Sequence, residues 1–252
     1  MSDYILETKD MSKEFRGFLA VKSVNLKVQR GHIHGLIGPN GAGKSTFFNL
    51  VTRFHPVSSG KIFYDGRDVT HEKPAALARA GMVRSFQISA VFPHMTLREN
   101  VRVALQRHSD MAYSFWTGSS KLKEFDDKAL DLLDQVGLLQ YADTMTVELA
   151  YGRKRALELA TTLALEPKLM LLDEPTQGMG HEDVGRITEL IKKFSAGRTI
   201  IMVEHNLNVV SRLCDRITVL QRGAILTEGN YEEVSSDPRV REAYMGGASH
   251  AA

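Results

Sequence analysis

The sequence predicts an α/β fold with a parallel sheet in its core. Three observations predict it. Two short continuous apolar runs, Leu169-Met-Leu-Leu172 and Thr199-Ile-Ile-Met-Val203, have the length and composition of strands buried on both faces. A stretch of helical period separates them, with Val184, Ile187, Leu190, Ile191 and Phe194 on one face. A glycine-rich turn, Gly38 to Thr46, leads out of one strand-like segment and into a helical one.

The elements follow in chain order. Residues 4–37 read as strands, and Val24, Leu26 and Val28 alternate with polar Asn25 and Lys27 as in a half-buried strand. Arg30-Gly31 turns the chain into His32–Ile37, the strand that feeds the glycine turn. A helix opens at about Lys44 and continues through Phe47–Val51. Lys61–Tyr64, Asp65-Gly66 and Arg67–Val69 read as a hairpin with a tight turn. Pro74–Ala80 is a short helix closed by Gly81. From about Thr96 to Leu165 the pattern is mostly helical, with Leu122, Phe125, Ala129, Leu132, Leu133 and Val136 on one face and Gly137 as the stop. Met111–Ser120 reads as a loop, with Trp116 either packed beneath it, the commoner case for an aromatic, or in contact with a partner. Arg153–Ala160 reads as a helix behind Tyr151-Gly152. Near the end, Arg216–Leu220 and Ala224–Leu226 flank Arg222-Gly223 as a hairpin, Pro238–Tyr244 is a last helix, and Gly246–Ala252 is a frayed tail.

Composition excludes several classes. The 252 residues are 43% hydrophobic and 25% charged, ordinary for a soluble globular chain. A net charge of +2 argues neither for nor against nucleic acid. Cys214 is the only cysteine, so no internal disulfide can form and a reducing compartment fits. No apolar run approaches the roughly 20 residues of a membrane helix. Met1–Glu7 lacks the basic and apolar regions of a secretory signal, so the chain is expected in the cytosol, where it can still dock onto a membrane partner.

The chemistry begins at Gly38-Pro39-Asn40-Gly41-Ala42-Gly43-Lys44-Ser45-Thr46. Glycine, four residues, glycine, lysine, serine is a phosphate-binding pattern. Backbone N–H groups must wrap a polyphosphate at close range, which glycine permits. Lys44 is placed to reach the β- and γ-phosphates, and the Ser45 hydroxyl to ligate Mg²⁺. A second anchor is Asp173-Glu174, at the end of a buried run. A carboxylate there is costly unless it faces a cation or a strong donor. Asp173 is therefore expected to hold Mg²⁺, and Glu174 to orient and deprotonate the attacking water. His32 and His34 read as strand residues without a motif, and His181 and the other histidines lack metal-ligand spacing.

Together, Gly38–Thr46 and Leu169–Glu174 resemble the ATP-binding-cassette (ABC) ATPases. Four further matches follow in that family's order: Phe86-Gln87 resembles its Q-loop, Leu149-Ala-Tyr-Gly-Arg153 its signature, Gly178-Met-Gly180 its D-loop, and Val203-Glu-His205 its switch histidine. Phe15 resembles the aromatic that stacks on adenine. The resemblance implies a P-loop NTPase fold with a RecA-like core, an N-terminal antiparallel β-subdomain and an inserted α-helical subdomain. It divides the chain into 1–87 with 161–252 for the core and β-subdomain, and 88–160 for the helical part. It implies ATP and Mg²⁺ as ligands, with Gln87 at the metal or water and His205 on the γ-phosphate. The N-terminus of the signature helix, at Tyr151, Gly152 and Arg153, would face the nucleotide of a second cassette.

This signature departs from the usual Leu-Ser-Gly-Gly-Gln. Ala150 stands for the serine and Arg153 for the glutamine, and Gly180 replaces the acidic or amide residue of the D-loop. A lost neutral hydrogen bond is worth about 0.5–1.5 kcal/mol, so the site is expected to weaken rather than fail. Arg153 either offsets this with charge near the nucleotide, or the signature faces a less active site in a heterodimer. Within the family the chain looks like the branched-chain amino acid importer ATPases, the LivG type. The residues carrying this are Gly81–Gln87, Val91–Val101, the tyrosine of Leu149–Gly152, and the ending Pro238–Gly246. That type implies a homo- or heterodimer of cassettes, two integral membrane permease subunits, a solute-binding protein acting indirectly, no nucleic acid, and a place on the cytoplasmic face of the inner membrane. Two other readings stay open: a soluble ABC ATPase uncoupled from transport, and a poorly hydrolysing partner cassette.

Overall fold

The first strand, β1 (Tyr4–Phe15), opens an antiparallel sheet in the computed structural model, which describes residues 2–85, 91–107 and 119–245. β1 pairs antiparallel with β2 (Phe18–Val24), β3 (Lys27–Gln29) and β5 (Ser59–Tyr64), and β5 with β6 (Arg67–Asp68). The single strand expected over Val24–Val28 is two strands instead. Ser23 sits in the left-handed region (φ 43°), and the Thr8 hydroxyl accepts the Leu26 N–H at 2.9 Å where a ladder bond would run. Val24, Leu26 and Val28 remain buried through the break.

The second sheet has six strands in the order β11-β10-β4-β9-β8-β7. In chain order they are β4 (Ile33–Ile37), β7 (Met82–Ser85), β8 (Leu169–Asp173), β9 (Thr199–Val203), β10 (Arg216–Gln221) and β11 (Ala224–Gly229). β10, β4, β9 and β8 pair in parallel, and β11 closes the edge as an antiparallel hairpin. Every residue of β4, β8 and β9 is buried. This is why β8 and β9 read as unbroken apolar runs rather than alternating ones.

Helices complete the chain: α1 (Lys44–Val51), α2 (Pro74–Arg79), α3 (Leu97–Gln106), α4 (Ser119–Gln135), α5 (Tyr151–Leu163), α6 (His181–Ser195), α7 (Leu207–Leu213), α8 (Tyr231–Ser236) and α9 (Pro238–Met245). The described residues group into two compact units, one within 1–84, 168–175 and 191–252, the other within 85–167 and 176–190. In the first, Phe47, Phe48, Leu50 and Val51 of α1 bury against Leu36, Leu171, Ile201 and Val203 of the parallel strands. In the second, α3, α4 and α5 pack on one another. A capping box starts α3: Thr96 Oγ1 accepts the Glu99 N–H at 3.2 Å, and Glu99 Oε2 accepts the Thr96 N–H at 2.8 Å. Among the described residues, no helix is long and apolar enough to cross a membrane. Trp116 lies outside the described residues.

Candidate functional site

Three parallel strands of the first unit end at one edge of their sheet, and each carries chemistry just past its C-terminal end. In open parallel sheets, ligands bind at such an edge. β4 runs into Gly38–Gly43 and α1, β8 ends in Asp173-Glu174, and β9 leads to Glu204-His205.

The glycine loop is held by close backbone approaches. Gly38 has φ 149°, and a Cβ there would lie 2.2 Å from the Leu220 carbonyl oxygen, so no other residue fits without moving the β10 strand. Gly43 is the N-cap of α1. Pro39 is half-buried, Asn40 and Gly41 are exposed, and Ala42 is buried. Ser45 is exposed on the first turn of α1 and Thr46 is half-buried. Lys44 is buried, and its Nζ donates to the carbonyls of Gly38 at 2.6 Å and Pro39 at 3.0 Å. Burial lowers the lysine pKa below its ordinary value, while the Glu174 and Asp173 carboxylates pull the other way. The loop thus folds a cation over itself, beside two acidic groups.

Asp173 is 2% exposed. Its Oδ2 accepts Arg84 Nη2 at 2.6 Å, whereas its Oδ1 is buried with no hydrogen-bond partner among the protein atoms. An unmatched carboxylate oxygen inside a protein costs free energy unless a cation meets it. Asp173 Oδ1 and the Ser45 hydroxyl are hard oxygen donors of the kind Mg²⁺ takes, so these residues fit the ion. Glu174 holds a left-handed backbone at φ 48°, rare for a residue with a side chain, and its N–H donates to the Val203 carbonyl at 2.9 Å. The sequence carried no sign of this strain.

His205 is exposed, and its Nδ1 lies 3.9 Å from Glu174 Oε1, beyond hydrogen-bond reach. The two side chains are neighbours without being tied together. Sequence reasoning missed what holds His205: buried Glu204 accepts the N–H of His205 at 2.9 Å and of Asn206 at 3.0 Å on one oxygen. Phe15 lies at the end of β1, its ring edge-on to His55 at 5.7 Å between centroids, with Lys13 Nζ 5.0 Å from the ring centre. Gln87 lies outside the described residues.

The second unit carries the signature. α5 begins at Tyr151, two residues before the expected start, with extended Ala150 as an N-cap that makes no side-chain bond. An alanine has nothing to offer the free N–H groups of the first turn, so the helix end keeps its donors. Gly152 is packed so that a Cβ would sit 2.4 Å from the Asp183 carboxylate. The Tyr151 ring is half exposed, and its hydroxyl accepts from Arg155 Nη2 at 2.9 Å while Arg155 Nη1 donates to Glu158 at 2.8 Å. The Arg153 guanidinium lies 4.4 Å over the Tyr141 ring, a cation–π contact that engages its charge within its own unit. Gly178 has φ 75°, and Gly180 has open space where a Cβ would stand. Among the described residues, no cluster of three or more His, Cys, Asp or Glu is arranged to hold a metal by itself.

Known proteins share this chain's sequence pattern and fold. Residues 21–177 match the family model for ABC transporters, and residues 224–250 match one for branched-chain amino acid ATP-binding cassette transporters. A high-affinity branched-chain amino acid transport ATP-binding protein, BraF of Pseudomonas aeruginosa, is 36% identical, covering 98% of this chain and 100% of its own. Among solved structures, the ADP conformation of an ATP-binding cassette of an ABC transporter superposes with TM-score 0.84 at 29% identity, covering 97% of this chain and 100% of that one. A dimeric post-hydrolysis state of another cassette, bound to ADP and Pi, superposes with TM-score 0.76 at 25% identity, covering 90% and 98%.

Proposed function

The chain belongs to the ABC transporter family of ATP-binding cassettes, and from that premise we propose that it is the ATP-hydrolysing subunit of a branched-chain or hydrophobic amino acid importer. The observation that carries the reading is the partnerless oxygen of buried Asp173, beside a glycine loop whose lysine is buried. That pairing fits a triphosphate with its counter-ion.

In this reading the N–H groups of Gly38–Thr46 wrap the phosphates, and Lys44 exchanges its loop carbonyls for the β- and γ-phosphates. Ser45, Asp173 and Gln87 would hold Mg²⁺, which when bound neutralises charge on the transferred phosphoryl group. Glu174 takes the proton of the attacking water, and its strained backbone fixes where the carboxylate stands. His205, carried on the turn that Glu204 anchors, contacts the γ-phosphate. Phe15 stacks on the base. Tyr151, Gly152 and Arg153 present the start of α5 to the nucleotide of a second cassette, so that two subunits close over two nucleotides. Contacts near Gln87 and along 88–160 pass that closure to two membrane permease subunits. A solute-binding protein delivers the amino acid to the permeases, and the cassettes sit on the cytoplasmic face of the membrane.

The test is a pair of variants. Glu174→Gln binds ATP and loses nearly all phosphate release; turnover at the wild-type rate removes Glu174 from the mechanism. Lys44→Ala weakens nucleotide binding measured by calorimetry, and an unchanged affinity contradicts the proposed loop. Stimulation of the assembled complex's ATPase by leucine, isoleucine or valine, and not by urea, checks the solute.

A further inference from the structure

Arg84 lies on β7, yet its guanidinium reaches two other elements. Nη2 donates to Asp173 Oδ2 at 2.6 Å, at the end of β8, and Nη1 donates to Asn49 Oδ1 at 2.6 Å, on α1. Its central carbon lies 5.6 Å from the centre of the Phe48 ring, on the same helix. The Arg84 and Asp173 side chains are 11% and 1% exposed. Stability alone does not account for such a pair. Desolvation of two buried charges roughly cancels their attraction, and apolar replacements of such pairs are often neutral or better. What a planar guanidinium supplies is geometry, two donors in a fixed fork.

An aspartate carboxylate turns about a broad, two-fold torsion, so its oxygens exchange unless one is pinned. Pinning Oδ2 leaves Oδ1 as the oxygen with no partner. The other arm of the fork holds α1, the helix that starts at Lys44 of the phosphate loop. One side chain thereby fixes the acidic strand end against the helix that carries the phosphate-binding residues.

We propose that Arg84 is a positioning residue for nucleotide-bound divalent cation: its fork orients Asp173 so that Oδ1 faces the ion, and sets the spacing between that oxygen and the phosphate-loop helix. This rests on the reading of Asp173 as the residue that meets the ion.

Calorimetry of ADP binding, with and without Mg²⁺, tests it on wild type, Arg84→Lys, Arg84→Met and Asn49→Ala. Arg84→Lys keeps the charge and loses the fork. It should fold with near-wild-type melting temperature and bind ADP without Mg²⁺ normally. Its Mg²⁺-dependent gain in affinity should fall roughly ten- to a hundredfold, as when an outer partner of a metal ligand is lost. Asn49→Ala, which frees one arm of the fork, should lose less in the same direction. Arg84→Met should match Arg84→Lys in Mg²⁺ response and fall below it in melting temperature; if it fails to fold, Arg84→Lys and Asn49→Ala decide. A wild-type Mg²⁺ response in Arg84→Lys overturns the proposal, since charge alone would then suffice. Asp173→Asn separates the two layers. If it keeps the full Mg²⁺ response, the reading of Asp173 itself fails. If it loses that response while the Arg84 variants keep it, only the role of Arg84 fails.

Discussion

Near neutral pH the His34 ring on β4 is uncharged. Burial lowers its pKa from 6.5 to about 4; Glu228 opposes the shift, and Arg216 and His32 add to it. The ring fits this state. Its Nε2 lies 2.8 Å from Thr218 Oγ1, and that hydroxyl donates to Glu228 Oε2 at 2.9 Å, so Nε2 carries the proton and Thr218 accepts it. A folded-state pKa below the unfolded one means the unfolded chain binds the extra proton first. Stability is therefore complete above pH 6.5 and drains away as pH falls towards 4, by on the order of 3 kcal/mol. Chemical denaturation between pH 7 and pH 4.5 should show this slope, and His34→Gln should flatten it; parallel curves for the two proteins refute the assignment. The sequence identified His34 as a strand residue without a motif, and a core histidine is what it is. It gave no role to Arg84, Asn49 or Glu204. The partners of Arg84 are 35 and 89 positions away, and only folding reveals which strand end a given arginine will meet.

Asn100 on α3 does for one turn of chain what the fork of Arg84 does for a strand end. It is 2% exposed. Its amide donates to the carbonyls of Phe92 at 3.1 Å and Thr96 at 2.9 Å and to Thr146 Oγ1 at 3.0 Å, and its Oδ1 accepts the Phe92 N–H at 2.7 Å. Asn100→Ala strips partners from several buried groups at once, and a cost of about 2–3 kcal/mol is expected. Hydrogen exchange at the Phe92 amide should accelerate along with it; an amide as protected as in wild type would show that the turn holds itself. Elements were legible where a period was long or a run fully buried, as in β8, β9, α4 and α6. Short ones were legible where a proline opened them, as in α2 and α9, and otherwise not. α7 and α8 have seven and six residues, too few to display a face. Their caps appear only in the structure: Asn230 accepts the Glu233 N–H at 2.9 Å while Glu233 accepts the Asn230 N–H at 2.8 Å, and Asn206 caps α7. The break between β2 and β3 hid because its apolar residues stay buried on both sides of it, so alternation ran on where the ladder did not.

The first unit is finished only by the end of the chain. Val234 of α8 and Val240 of α9 bury against Ile37, Val210, Ile217 and Val219, with Tyr231 and Tyr244 packed around them. Ile37 is the last residue of β4 before the glycine loop. Deleting residues 238–252 uncovers this cluster and should cost about 3 kcal/mol, from the loss of one or two buried apolar side chains. Nucleotide bound at a hundred times its dissociation constant should return about 2.7 kcal/mol of that. Differential scanning calorimetry, with and without ADP, checks both; an unchanged melting temperature after the deletion shows that α9 is not part of the core. The chain's near-balanced charge and the order of its motifs were legible at this scale. The use of α8 and α9 to roof the strand below the loop was not, because short amphipathic helices look alike whatever they cover. One feature reaches beyond this fold. Glu174 keeps a side chain in a conformation that suits glycine, at a cost of about 1–2 kcal/mol. Glu174→Gly would relieve that strain and raise the melting temperature, and with Glu174 as the base proposed above it would abolish phosphate release. On that proposal, durability and work compete at this position for a single torsion angle.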